Sequence, residues 1–137
     1  MRLQFIFGIH RATHRIGIFI QKHAPGLTQA EAHILCHLHE AGDCSIAELH
    51  RAFAHKRSTL TSVLDRLDAR GFVKRDLSTE DRRSFVVRLT RAGKKEAARV
   101  HRILESVESM ALRHNDSGAL ESFRRLIGEL EQAAQKE

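Results

Sequence analysis

Apolar residues recur at helical spacing along most of the chain and alternate in one short stretch. Within residues 3–22, Ile6, Ile9, Ile16, Phe19 and Ile20 share one helical stripe, which predicts a long first helix ending near Ala24-Pro25-Gly26. Thr28-Gln29-Ala30-Glu31 reads as a capping box, with Thr28 accepting from a backbone N–H and Glu31 reaching back. The second helix that it opens turns Ile34, Leu35 and Leu38 inward and stops at Gly42. Ser45-Ile46-Ala47-Glu48 is a second capping box and starts a short third helix through about Phe53. Ala54-His55-Lys56 is a tight turn. A fourth helix runs from about Arg57 to Arg70 and is closed by Gly71.

The period then changes to two. Val73, Arg75 and Leu77 alternate with polar neighbours, as do Phe85, Val87 and Leu89, around the polar stretch Ser78 to Arg82. This predicts a β-hairpin with a charged tip. Thr90 caps a fifth helix whose inner face carries Val100, Ile103, Leu104, Val107 and Met110. After a turn at 114–118, Leu120, Phe123, Ile127, Leu130 and Ala134 follow a 3-4-3-4 spacing on a sixth. The expected fold is mainly α with a small β-wing. No linker, internal repeat or low-complexity segment interrupts it.

Composition narrows the class. A chain of 137 residues with 42% apolar content fits one globular domain. Two cysteines, Cys36 and Cys44, exclude a disulfide-rich scaffold, and no C-x-x-C pattern suggests zinc. No run of about 20 apolar residues predicts a membrane span. The apolar N-terminus is broken by Arg11 and Arg15 without a small-residue cleavage site, so a signal peptide is not expected. The expected compartment is the cytoplasm. Trp and Tyr are absent, so stacking platforms for single strands are scarce. Without a Gly-rich phosphate loop, nucleophile elbow or paired carboxylates, an enzyme is not expected, and no cofactor or metal is implied.

Charge is segregated. The net charge is +6, but residues His50 to Arg99 hold 14 Lys/Arg against 6 Asp/Glu, and the rest of the chain holds 9 against 11. A basic centre between slightly acidic flanks suits a polyanion partner. Two short helices about three residues apart, followed at once by a basic hairpin, make a winged helix-turn-helix. A helix fits the DNA major groove, and a charged hairpin beside it can reach the minor groove. On the fourth helix, Leu60, Val63, Leu64 and Leu67 share one stripe. Rotation by about 100° per residue puts Ser58, Thr61, Ser62 and Asp65 opposite, flanked by Arg57, Thr59 and Arg66.

The stretch from Ser45 to Ala92, with "SIAELHRAF", "RSTLTSVLDRLDARGFVKR", "DRRSFVVRLT" and "RAG", resembles the multiple antibiotic resistance regulator (MarR) family of bacterial transcription factors. The order of helices around it extends the resemblance over essentially the whole chain. It implies that residues 28–97 form a winged lobe and that 1–24 and 98–137 supply dimerisation helices. It makes the fourth helix the recognition helix and Arg82 and Arg83 the wing, with Asp81 orienting the minor-groove arginine. It also pairs Asp65 with Arg83, which leaves Arg82 as the better tip residue. Lys56, Arg57, Lys74 and Arg75 are then expected on phosphates, which position without reading sequence. The chain departs from the family at Ala54, where a glycine is usual, and at Lys56, where Ser, Asp or Asn usually begins the recognition helix.

A two-fold partner is needed to read two half-sites. The apolar stripes of the first and last helices suit a homodimer, with Ile6, Phe7, Phe123, Ile127 and Leu130 at its interface. The expected partner is a pseudo-palindromic duplex. The resemblance further implies a repressor released by a small-molecule inducer, held near Arg15, Phe19, His33, His37 and His101. A metal- or redox-sensing variant, using the paired histidines or Cys36 and Cys44, is an alternative, as is a winged-helix protein-interaction module that does not bind DNA.

Overall fold

The computed structural model describes residues 1–80 and 84–136. In chain order its elements are α1 (Ile6–His23), α2 (Gln29–Ala41), β1 (Cys44–Ser45), α3 (Ile46–Phe53), α4 (Arg57–Ala69), β2 (Val73–Leu77), β3 (Phe85–Leu89), α5 (Arg91–Leu112) and α6 (Ser117–Gln135). The chain divides into two compact units, Met1–Ile103 and Leu104–Glu137, with the boundary inside α5. The first unit thus takes in α1 and the first half of α5 together with residues 28–97. Its reach has a local cause: Ile20 and Ala24 at the end of α1 are buried, and Gln29 Nε2 donates to the Thr13 carbonyl at 3.1 Å.

The six helices and the hairpin follow the sequence pattern closely. β1 does not, because two residues are too few to show alternation. It pairs antiparallel with β3, Cys44 opposite Val87 and Ser45 opposite Val86, giving a three-stranded sheet of order β1-β3-β2. β2 and β3 pair from Val73 opposite Leu89 to Leu77 opposite Phe85. Only the inner end of this hairpin lies over the core. Val73 and Val87 are buried, whereas Leu77 and Phe85 are exposed near the tip.

The core of the first unit joins Ile34, Leu35 and Leu38 of α2, Leu49 of α3, Leu60, Val63, Leu64 and Leu67 of α4, and Val100 of α5. Burying one such side chain contributes about 1.5–3 kcal/mol, so four on α4 fix which face that helix turns outward. Gly93 permits a close approach at the start of α5. A Cβ there would lie 1.8 Å from the Phe72 carbonyl oxygen. Thr90 ties the same corner, accepting from Gly93 N at 2.9 Å and donating to the Gly71 carbonyl at 2.5 Å.

Other stripes are less buried than the periodicity implies. On α1 only Ile20 is buried, and Ile6 is exposed; on α5, Val100 is buried but Met110 is exposed; α6 buries no residue. Their apolar faces have too little covering chain within one copy. The two capping boxes also differ. Ser45 and Glu48 exchange both hydrogen bonds, at 3.1 Å each. At α2 only half forms: Glu31 N donates to Thr28 Oγ1 at 3.2 Å, while the Glu31 carboxylate turns away to α4 instead of reaching back.

Candidate nucleic-acid interface

α4 is seated by its apolar stripe and by the turn before it. Ala54 caps α3 in the left-handed region at φ 53°, and Lys56 is the α4 N-cap with extended backbone but no side-chain cap bond. With Leu60, Val63, Leu64 and Leu67 inward, Arg57, Ser58, Thr59, Thr61 and Ser62 are all exposed on the remaining surface. Thr61 Oγ1 donates to the Arg57 carbonyl at 2.9 Å, so that hydroxyl keeps only acceptor capacity for a ligand.

The cations around α4 fall into two groups. Lys56, Arg57 and Lys74 are exposed and make no ion pair among the described residues. Arg75 and Arg66 are engaged. Arg75 reaches from β2 to Asp65 Oδ1 at 2.8 Å and to Asp68 Oδ2 at 3.2 Å, which locks the hairpin to α4. Among the described residues Asp65 therefore pairs with Arg75; the expected partner Arg83 lies outside them. The cause is the strand period: Arg75 lies two residues from buried Val73, on the strand face that looks at α4. Asp81, Arg82 and Arg83 lie outside the described residues. Arg66, expected on the outer face, donates from Nε to Glu31 Oε1 at 2.8 Å, back towards α2. Glu31 carries no signal in the sequence beyond its capping position, and its role there depends on a partner 35 residues away.

An open cleft of about 870 Å³ lies between α3, α4 and the hairpin, lined by Ile46, His50, Arg57, Thr61, Arg75 and Phe85 among others. The second unit holds a cleft of about 490 Å³ between α5 and α6, lined by Leu112, Leu120, Phe123 and Arg124 among others. Neither is lined by the residues expected to hold an inducer. Those five lie in the first unit, and of them His33 and His37 share the corner formed by Phe53 and His55. Arg15 is exposed, and Phe19 packs on the His23 ring at 4.2 Å. His37 meets the Phe53 ring edge-on at 5.3 Å. His101 Nε2 lies 3.0 Å from Glu40 Oε2 and its ring 4.8 Å from that of His39. His33 is half-buried, and burial, aided by the charge of His55, lowers its pKa below 6.5.

Both cysteine thiols are held away from the thiolate form. Burial, with a smaller contribution from Glu40, pushes the Cys36 thiol up to about 11. Burial, Glu48 and Asp43 raise that of Cys44. Oxidant sensing needs an accessible thiolate at neutral pH. Among the described residues no group of three or more His, Cys, Asp or Glu could hold a metal ion, and no helix is long and apolar enough to cross a membrane. What the surface around α4 offers is a convex helix of hydroxyls and arginine beside a hairpin, a shape that fits a duplex groove.

Residues 27–85 match the model of the MarR family. Residues of this chain are 38% identical over 69 positions to the uncharacterised HTH-type transcriptional regulator YfiV of Bacillus subtilis, covering 50% of this chain and 43% of that protein. They are 34% identical over 87 positions to the HTH-type transcriptional repressor NicR of Pseudomonas putida, covering 62% and 55%. The chain spans about half the length of the curated relatives it matches. Among solved structures, a probable transcriptional regulator from Pseudomonas aeruginosa superposes with a TM-score of 0.73 at 28% identity, covering 93% of this chain and 96% of that one. Reduced AbfR bound to DNA superposes with a TM-score of 0.74 at 23% identity, covering 95% and 92%; AbfR is a Staphylococcus epidermidis protein.

Proposed function

We propose that this chain is a regulator of the MarR family, whose model residues 27–85 match, and that it binds double-stranded DNA as a homodimer and regulates transcription, as a repressor released by a small molecule. The observation that carries this reading is the division of α4. Its four apolar residues are fully buried, and the hydroxyl-rich face with Arg57 is left to solvent, inside the most basic third of the sequence. A groove-reading helix needs this arrangement: a fixed seat below, and short donors with a guanidinium above.

In this reading Ser58, Thr59, Thr61 and Ser62 approach base edges. Lys56, Arg57 and Lys74 meet phosphates, and Arg82 with Arg83 forms the wing. Arg75 holds the hairpin against α4 in place of meeting a phosphate. The similarity to a protein named a repressor supports the direction of regulation, and the fold shared with a DNA-bound structure supports the partner. The site of action is the cytoplasm, where such a duplex lies, and the role is regulatory with no catalytic step. Ile6, Phe7, Phe123, Ile127 and Leu130 are the proposed dimer contacts, with 28–97 as the DNA-binding lobe.

Selection of bound duplexes from a random pool tests the reading. A palindromic preferred site is expected. Arg57→Ala and Arg82→Ala should each weaken binding to it and lower the salt slope by about one unit. A protein that ignores duplexes at low ionic strength, or binds equally well without both arginines, would overturn it.

A further inference from the structure

Among the described residues Glu31 is the one buried residue that carries a charge, at 3% exposure. It sits in the first turn of α2, where its carboxylate could have closed the capping box, yet both oxygens face α4. Oε1 accepts from Arg66 Nε at 2.8 Å. Oε2 lies 3.9 Å from Arg70 Nη1, is buried, and has no hydrogen-bond partner. Arg70 in turn donates from Nη1 to the Gly26 carbonyl at 2.5 Å and lies over the Phe72 ring at 5.0 Å. Arg66 of the last turn of α4 and its C-cap Arg70 thus converge on one point at the α1–α2 junction.

We propose that Glu31 is the positioning residue of the recognition helix: through Arg66 and Arg70 it sets how far and at what rotation α4 projects from the lobe. This rests on the DNA-binding reading above and extends it to a residue that does not reach the duplex. The physical argument is geometric. The apolar stripe of Leu60, Val63, Leu64 and Leu67 fixes which face points inward, but apolar contacts are not directional and allow small sliding along the helix axis. A buried carboxylate is different. It has a few lone-pair directions, and the one satisfied at Oε1 fixes where the Arg66 guanidinium sits, while Arg70 stays within ion-pair reach of Oε2. Arg66 remains about half-exposed at its side chain, so the pair is anchored at the carboxylate end and not at the guanidinium end.

The sign of the effect separates positioning from plain electrostatics. Glu31→Gln removes one negative charge, which by itself should tighten binding to a polyanion. A positioning role predicts the opposite for a specific site. In the full chain, Glu31→Gln should lower affinity for the selected duplex about tenfold, while binding to an unrelated duplex holds or rises. Arg66→Gln should give a similar loss with an unchanged salt slope, and the double variant should be no worse than either single one. Hydrogen exchange on the protein without DNA supplies an independent arm: α4 amides should lose protection in Glu31→Gln, while those of β2 and β3 hold. If Glu31→Gln does not fold, Arg66→Gln carries the same exchange test. Unchanged α4 exchange overturns the proposal. So does a salt slope that drops by about one in Arg66→Gln with Glu31→Gln neutral, since Arg66 would then be a phosphate contact. If the wild-type chain selects no duplex, the DNA reading fails, and the exchange arm still decides whether Glu31 seats α4.

Discussion

His33 shows how a single side chain couples this fold to pH. Burial first, and the nearby His55 charge second, hold its pKa below the 6.5 of an exposed imidazole. The folded state therefore binds fewer protons than the unfolded chain once pH falls below about 6.5, and stability must drop as pH decreases through that window. His33→Gln should flatten the acid side of a plot of urea midpoint against pH, and identical slopes in the two proteins would refute the assignment. Residue identity alone could not have singled out this histidine from ten. Its distinction is its half-buried place on α2, close to His55. Arg75 teaches the same lesson: expected on a phosphate, it is drawn to Asp65 and Asp68, although its spacing from Val73 carried a signal for the inner face of the hairpin.

At the scale of elements, the α3–α4 turn is where the chain departs most from an ideal. Ala54 occupies a left-handed conformation at φ 53°, which costs a residue with a Cβ roughly 1–2 kcal/mol. Ala54→Gly should therefore raise the unfolding free energy by about 1 kcal/mol, read from urea titration; an unchanged or lower value would mean that the turn relaxes at no cost. Lys56 follows as an N-cap without a capping bond. Lys56→Ser should add about 1 kcal/mol of stability and, if the lysine meets a phosphate, reduce the salt slope of duplex binding by about one. A stability gain with no change in slope would remove Lys56 from the interface. Both expectations reflect one feature: the turn gives up local stability next to the surface proposed to meet DNA.

The whole molecule carries apolar surface that one copy does not cover. Phe7 and Ile18 on α1 are 66% and 69% exposed, and Phe123 on α6 is 57% exposed. Large apolar side chains left exposed on each of these helices suit association sites, which supports the proposed homodimer. Phe123→Asp should give a folded monomer by sedimentation that binds a two-half-site duplex far more weakly than the wild-type chain. A dimer that survives this change would move the interface off α6.

Taken by itself, the sequence determined the order and type of the helices, the hairpin, the inward face of α4 and the family resemblance. These depend on periodicity, caps and turn residues, which are local and therefore written in consecutive positions. The tertiary structure decided which partners the charged side chains take. Glu31 leaves its own capping box for Arg66, Arg75 claims Asp65 and Asp68, and β1 joins the sheet. A carboxylate chooses the nearest unsatisfied cation in space, and that distance is set only after the apolar stripes have packed.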